Sequence, residues 1–241
     1  MSVNTDNQVL PKISIVIVTY NAVEVLQSCL NSIYKQKYPN IEIILMDGAS
    51  TDGTVDIIRE NENNIAIWRS EKDEGIYDAM NKALNYISGE WVYFLGADDE
   101  LFDEFSDFAY ELKDPSIIYY GNVLREGIKY LGKVDAYKHA KLTICHQAII
   151  YPSEIFNKYR FDLSYKISAD HVLNMRCWKD RDFNFGYKDY IIANFNHTGV
   201  SSTKKDLDFE KNKAALILKH YGYFVWFRFL IKQIKKLSFS R

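Results

Sequence analysis

From Ile13 to Val18 the chain is an almost unbroken β-branched run, the pattern of a strand buried on both faces in a parallel sheet. Thr19-Tyr20-Asn21 ends that run in polar, turn-compatible residues. Val23, Leu26, Leu30 and Ile33 then recur at helical spacing, so a helix follows. The same alternation returns at once. Ile41 to Met46 reads as a second buried strand that ends in Asp47-Gly48, and the Ser50-Thr51-Asp52 cluster caps a helix carrying Val55, Ile57 and Ile58. Ile65 to Trp68 reads as a third strand. After the polar loop Ser70 to Gly75, a helix over Ile76–Ile87 turns Ile76, Met80, Ala83, Leu84 and Ile87 to one apolar face. Glu90 to Leu95 is a fourth strand, and it stops abruptly at Gly96-Ala97-Asp98-Asp99. Strands alternating with helices in this way predict an α/β fold, a mostly parallel central sheet flanked by helices, with ligands bound at the carboxyl ends of the strands.

The second half is less regular. The pattern predicts an acidic, aromatic helix over Leu101–Leu112, a strand over Ile117–Leu124 with a hairpin partner in Gly127–Val134, and a strand following Cys145-His146-Gln147. Asp170 begins a further helix, for which N-capping alone is a sufficient reason. From Phe209 onward the pattern is helical again. The tail Tyr221–Arg241 mixes aromatic and aliphatic residues with Arg228, Lys232, Lys235 and Lys236 and has no acidic residue. That combination suits an anionic membrane surface, and packing on the domain or on a second copy in a homodimer is the alternative.

Composition narrows the class only a little. With 241 residues, 47% of them hydrophobic, the chain can bury one large core. A net charge of -2 gives no case for nucleic acid, and three scattered cysteines carry no metal or disulfide spacing, which points to a cytoplasmic setting. Residues 1–10 read as a flexible lead without the charged start and apolar run of a signal peptide, and no apolar segment is long enough to span a bilayer.

Three strand ends therefore bring chemistry to one edge. Adjacent carboxylates at the end of a buried strand are costly unless a cation meets them, so Asp98 and Asp99 read either as ligands of a divalent metal or as an acidic helix cap. Asp47 beside Gly48 suits a base N–H, Tyr20 suits stacking on that base, and Thr19 and Asn21 flank it. A metal bridging phosphates completes a nucleotide-diphosphate site. Neither a Walker sequence nor a dinucleotide fingerprint occurs.

The motifs Ser14–Asn21, Asp47–Thr54, Ser70–Lys82 and Gly89–Asp99, in this order, closely resemble the family 2 glycosyltransferases, inverting enzymes of the GT-A fold, in the subgroup that assembles bacterial capsule, O-antigen and exopolysaccharide. The resemblance implies hexosyl or N-acetylhexosaminyl transfer from a nucleotide sugar, UDP-linked, to a polyprenyl-diphosphate-linked or other saccharide acceptor, with Mn2+ or Mg2+ as cofactor. By the same resemblance Thr19, Tyr20, Asn21, Asp47, Gly75 and Asp98 bind the donor, Asp98 and Asp99 hold the metal, and His146 and Gln147 line the sugar site. Asp170 matches the position of the general base. His197 takes a phosphate or metal contact, although a plain loop histidine accounts for it as well. Many relatives carry Asp or Asn where this chain has Gly96. The resemblance divides the chain into a nucleotide-sugar half (11–100), an acceptor half (101–208) and a helical tail (209–241), on an enzyme peripheral to the inner face of the plasma membrane. Two other readings stand beside it: a non-catalytic, membrane-docked nucleotide-sugar-binding module, and a sugar nucleotidyltransferase, which lacks here its glycine-rich, Arg-containing loop after the first strand.

Overall fold

The β-branched run becomes β1 (Ile13–Thr19), buried along its whole length. In the computed structural model, which describes residues 10–196 and 205–239, β1 lies inside a nine-stranded sheet. β2 (Ile41–Asp47) pairs with β1 in parallel and β3 (Ile67–Ser70) pairs with β2 in parallel, while β4 (Trp91–Gly96) lies parallel on the other side of β1. The winding thus reverses between β1 and β4, which opens a crevice at the carboxyl ends of these strands. Register sets the ends level. Thr19 stands beside Asp47, Asp47 beside Ser70, and Val18 beside Gly96.

Beyond β4 the sheet becomes mixed. β5 (Glu100–Leu101), β6 (Ile117–Arg125), β7 (Ile128–Tyr130), β8 (Ile149–Pro152) and β9 (Asn184–Phe195) continue it in the order β4-β8-β6-β9-β5, with β7 paired to β6. β8 is antiparallel to both β4 and β6, whereas β6 and β9 run parallel. The helices are α1 (Leu26–Tyr34), α2 (Thr54–Glu60), α3 (Ile76–Ala83), α4 (Glu104–Ala109), α5 (Ala136–Lys141), α6 (Ile155–Lys158), α7 (Ala169–Lys179) and α8 (Leu207–Phe239).

Alternate residues of a strand face opposite sides of its sheet, and β4 uses both. Tyr93 packs on Phe105, while Phe94 meets Tyr151, Phe156 and Phe161 with ring centroids 5.2–6.3 Å apart. The strand that carries the acidic turn is therefore covered on both faces.

Several elements differ from the pattern. The third strand starts at Ile67 because a short 3-10 turn, Glu62–Asn64, captures the Ile65 N–H. The helix expected over Leu101–Leu112 is only Glu104–Ala109, since Leu101 pairs with Ala193 on β9 and its N–H donates to Ser32 Oγ. The hairpin partner ends at Tyr130, short of Gly132 at φ +74°. In α3 the inward residue is Tyr77, buried, whereas Ile76 is exposed. A tyrosine turns inward there because its hydroxyl finds Ile167 O at 2.8 Å.

α8 breaks at Gly222, whose φ of 79° and ψ of 179° are open essentially to glycine alone. Before the break it is docked: Ile217 is buried, Phe209 packs on Tyr165 and His171, and the Tyr221 hydroxyl lies 2.9 Å from His139 Nδ1. After the break Val225 and Phe229 face inward and Arg228 and Lys232 lie over the Tyr137 ring. Among the described residues no helix is long and apolar enough to cross a membrane.

Phe94 sits at the centre of the aromatic packing behind the acidic turn, and Phe94→Ala should lose about 3–5 kcal/mol of stability. Urea unfolding checks this, with a lower midpoint expected at unchanged slope.

Candidate active site

The end of β2 is a closed polar knot. Asp47 Oδ2 accepts the Ser50 N–H at 3.0 Å and the Ser70 hydroxyl at 2.6 Å, and Oδ1 accepts the Ser50 hydroxyl. Asp47 was expected to meet a base N–H; its carboxylate already serves three donors of its own chain, so a base would have to share it. Asn21, at φ +49°, donates its N–H to Ser50 Oγ and accepts the Thr51 N–H on Oδ1, which ties the end of β1 to the same loop. Tyr20, between them, is 67% exposed and leaves its ring open to a ligand. Thr19 Oγ1 is buried without a hydrogen-bond partner among the described residues.

Gly48 allows this edge to close. A Cβ there would stand 2.7 Å from Asp73 Oδ2 and 3.3 Å from the Tyr20 ring. Asp73 thus lies against the Tyr20 edge, and its Oδ1 also accepts the Gly75 N–H at 2.8 Å. Gly75 starts α3 at φ +121°, a conformation that side chains rarely adopt. Asp73 is one of three acidic residues in the loop Ser70 to Gly75, where charge alone marks none of them.

The acidic turn at the end of β4 is different, because it is buried. The Asp99 N–H closes a turn on Gly96 O at 3.1 Å, and Asp99 is 1% exposed. Gln147 Nε2 donates to its Oδ2 at 2.6 Å and the Asn196 N–H to its Oδ1 at 2.8 Å. Burial first, and then the neighbouring Asp98 charge, push the Asp99 carboxyl up to about 6. Burial also raises Asp98. Neither forms an ion pair with a lysine or arginine among the described residues. Gly96 makes room for the pair: a Cβ on it would lie 2.5 Å from Asp99 Oδ2 and 3.1 Å from Asp98 Oδ1.

A buried carboxylate beside a half-buried one, neither paired with a lysine or arginine among the described residues, fits a hard divalent ion in donor chemistry, and fits it as a partial site. Mg2+ in particular is commonly held by one or two carboxylates with phosphate and water oxygens filling the rest. The described residues offer no group of three or more His, Cys, Asp or Glu placed to hold a metal. His197, the third ligand expected from the sequence, lies outside the described residues.

Asp170 stands in the first turn of α7, 6% exposed. Its Oδ1 accepts the His171 N–H at 2.7 Å and lies 3.1 Å from the Tyr77 hydroxyl, while Oδ2 faces His146 Nδ1 at 3.7 Å. His146 and Gln147 belong to one 3-10 turn, His146–Ala148, which Tyr93 fastens to β4 through a 2.7 Å hydrogen bond to Gln147 O. One turn thus touches both acidic centres: Gln147 holds Asp99, and His146 faces Asp170. His146 Nε2 is buried and has no partner among the described residues. Gln147 was expected to line the sugar site; here it is a hydrogen-bond donor to the acidic turn. Tyr77 and Asn196 are also new, and neither carries a local sequence signal, since their partners lie 93 and 97 residues away.

The raised Asp99 carboxyl has a consequence for stability. Its folded value near 6 exceeds its ordinary 3.8, so the cost of burying the anion is full above pH 6 and gone below about 3.8. In the presence of a chelator at pH 7.5, Asp99→Asn should melt higher than the native chain, by on the order of 1–3 kcal/mol in stability. The gap should close as pH falls through 6 towards 4. Thermal melts across that window check it, and a variant that melts lower at pH 7.5 would contradict the uncompensated burial.

Residues 14–177 match Glycosyl transferase family 2. The chain is 35% identical over 214 residues, 83% of each sequence, to the PGL/p-HBAD biosynthesis glycosyltransferase of Mycobacterium bovis BCG. Its fold is similar to that of Staphylococcus aureus TarS 1-349 in complex with UDP-GlcNAc, with a TM-score of 0.69 at 21% identity over 87% of this chain and 67% of that one. It is similar also to the Pyrobaculum calidifontis mannosyltransferase PcManGT in complex with GDP-Man and Mn2+, with a TM-score of 0.64 at 18% identity over 88% of this chain and 63% of that one. The chain thus spans about two thirds of the length of these solved neighbours, and at such identity the likeness is one of fold. By its sequence match the chain belongs to glycosyl transferase family 2, and its architecture is the GT-A fold.

Proposed function

We propose that this chain is an inverting transferase that moves a hexosyl or N-acetylhexosaminyl group from a UDP-sugar to a polyprenyl-diphosphate-linked saccharide, in the assembly of a cell-surface polysaccharide. The observation that carries the proposal is the His146-Gln147 turn, which spans an acidic pair suited to a diphosphate-bound cation and a separate carboxylate, Asp170. Transfer with inversion needs two such groups, because the leaving diphosphate and the attacking hydroxyl stand on opposite faces of the sugar. Asp98 and Asp99 would hold the cation, Mn2+ or Mg2+. A cation bound there would supply Lewis-acid stabilisation of the leaving group.

Asp170 takes the proton of the acceptor hydroxyl as its oxygen attacks the anomeric carbon. The His171 N–H donates to its Oδ1, with the Tyr77 hydroxyl 3.1 Å away, which leaves Oδ2 as the oxygen that accepts the proton. Tyr20 stacks on the base, with Thr19, Asn21, Asp47 and Gly75 shaping the donor edge. The UDP-GlcNAc complex of TarS and the Mn2+ complex of PcManGT support a nucleotide-sugar donor and a divalent cofactor.

The second half of α8 supports attachment to an anionic membrane on the cytoplasmic side. Tyr223, Phe224, Phe227, Ile231 and Ile234 are exposed at helical spacing, Phe224 by 82%, and Arg228, Lys232 and Lys235 are exposed alongside them. Rings at the headgroup level with flanking cations are the chemistry of an interfacial helix. A lipid-linked acceptor would be met at that surface.

Two measurements test these readings. Asp170→Asn should lower kcat about 10²–10⁴-fold and leave donor affinity within about threefold; NMR of the product should show inverted anomeric configuration, and a retained one sinks the single displacement. Phe224→Ser with Phe227→Ser should weaken sedimentation with anionic vesicles at least about tenfold, since each ring contributes roughly 1.5–3 kcal/mol when fully buried. Partitioning equal to that of the native chain counts against the membrane reading.

A further inference from the structure

α7 begins without a cap of its own. Ser168, its N-cap residue, makes no side-chain hydrogen bond to the helix, although the base carboxylate stands two residues later. The preceding N–H groups are nevertheless satisfied from a distant part of the chain. Asp206 Oδ2 accepts the Ile167 N–H at 2.9 Å and the Ser168 N–H at 3.0 Å. The other oxygen of the same carboxylate accepts the Phe209 N–H at 3.0 Å, and the Asp206 carbonyl accepts the Glu210 N–H at 2.9 Å. This is the geometry of an N-cap. One buried carboxylate therefore starts α8 and closes the loop that leads into α7.

The opposite side of that loop is held from α3. Ile167 O takes the Tyr77 hydroxyl, which also lies within reach of Asp170 Oδ1. The peptide between Ile167 and Ser168 is thus gripped from both sides, by Tyr77 and by Asp206. Phe209, in the first turn of α8, closes the grip by packing on Tyr165 and His171.

We infer that Asp206 is a positioning residue for Asp170: its carboxylate fixes the Ile167-Ser168 loop and so sets how Asp170 meets His146 and the acceptor hydroxyl. The inference rests on the reading of Asp170 as the base. It joins the attachment of α8 to the chemistry of the site. An ordinary structural cap would make a different prediction, because any equal loosening of α8 would then lower activity equally.

Asp206→Ser separates the two roles. Serine still caps α8, but its single oxygen is shorter and engaged by the Phe209 N–H, so the loop loses its acceptor. The expected result is a melting temperature close to native, a donor KM within twofold, and a kcat at least tenfold lower. Asp206→Asn keeps a carbonyl oxygen that can serve both loop N–H groups, and its kcat should stay within threefold of native. Ile217→Ala loosens α8 by removing a buried side chain remote from the loop, and should lower the melting temperature with kcat within twofold. Hydrogen exchange of the peptide covering 163–170 should speed up in Asp206→Ser alone. Native kcat or native exchange in Asp206→Ser overturns the inference, as does an asparagine variant no better than serine, or an equal loss of kcat in Ile217→Ala. Asp170→Asn is assayed in parallel. Native turnover there sinks the base assignment instead, whereas a dead Asp170→Asn beside a fully active Asp206→Ser sinks only the role of Asp206.

Discussion

A carboxylate 1% exposed, next to a second carboxylate and without an ion pair to a lysine or arginine among the described residues, is the constraint around which this site is built. Water would solvate Asp99 well, and the fold withholds water. What it supplies in exchange is two oriented donors, the Gln147 amide and the Asn196 N–H, which hold the oxygens without neutralising the charge. Hydrogen bonds of that kind favour the anion, but here burial still prevails, as the upward shift of Asp99 indicates. That shortage of positive charge is what makes the acidic turn suit the cation of the proposed function. The coverage of β4 by aromatic rings on both faces keeps the arrangement stiff.

The turn at His146–Ala148 gives that constraint its reach. Because Gln147 and His146 are adjacent in the chain, the distance between the acidic pair and Asp170 is set by a single 3-10 turn rather than by two independent loops. Tyr93 ties the turn to the strand that carries the acidic pair. Asp170 is held just as indirectly, through Tyr77 from α3 and Asp206 from the start of α8. The two centres are thus positioned by elements from both halves of the sequence.

The parallel half of the sheet was legible because its strands are continuous β-branched runs that stop at polar residues, a signal carried by neighbours in sequence. The strand ends that converge, Thr19, Asp47 and Gly96, could be named for the same reason, and register brings them level. β9 was not legible. Its residues are mostly half-buried, with Lys188 and Asp189 in mid-strand, and its pairing with β6 is interrupted by a bulge around Asn122, so no clean period of two survives. Ile76 and Tyr77 were exchanged because helical spacing fits either, and the deciding factor is a carbonyl 90 residues away. Asp73, Asn196 and Asp206 escaped for a similar reason: each acts through contacts that only the tertiary fold creates.

Gly96 carries a last consequence, for what the acidic turn can accommodate. The space that a side chain at this position would fill is the space in which the Asp98 and Asp99 carboxylates now lie. An acid at 96 and the present seat of Asp99 are therefore alternatives, not additions. A side chain there would require the Asp99 carboxylate to be re-seated, and with it the hydrogen bond it takes from Gln147.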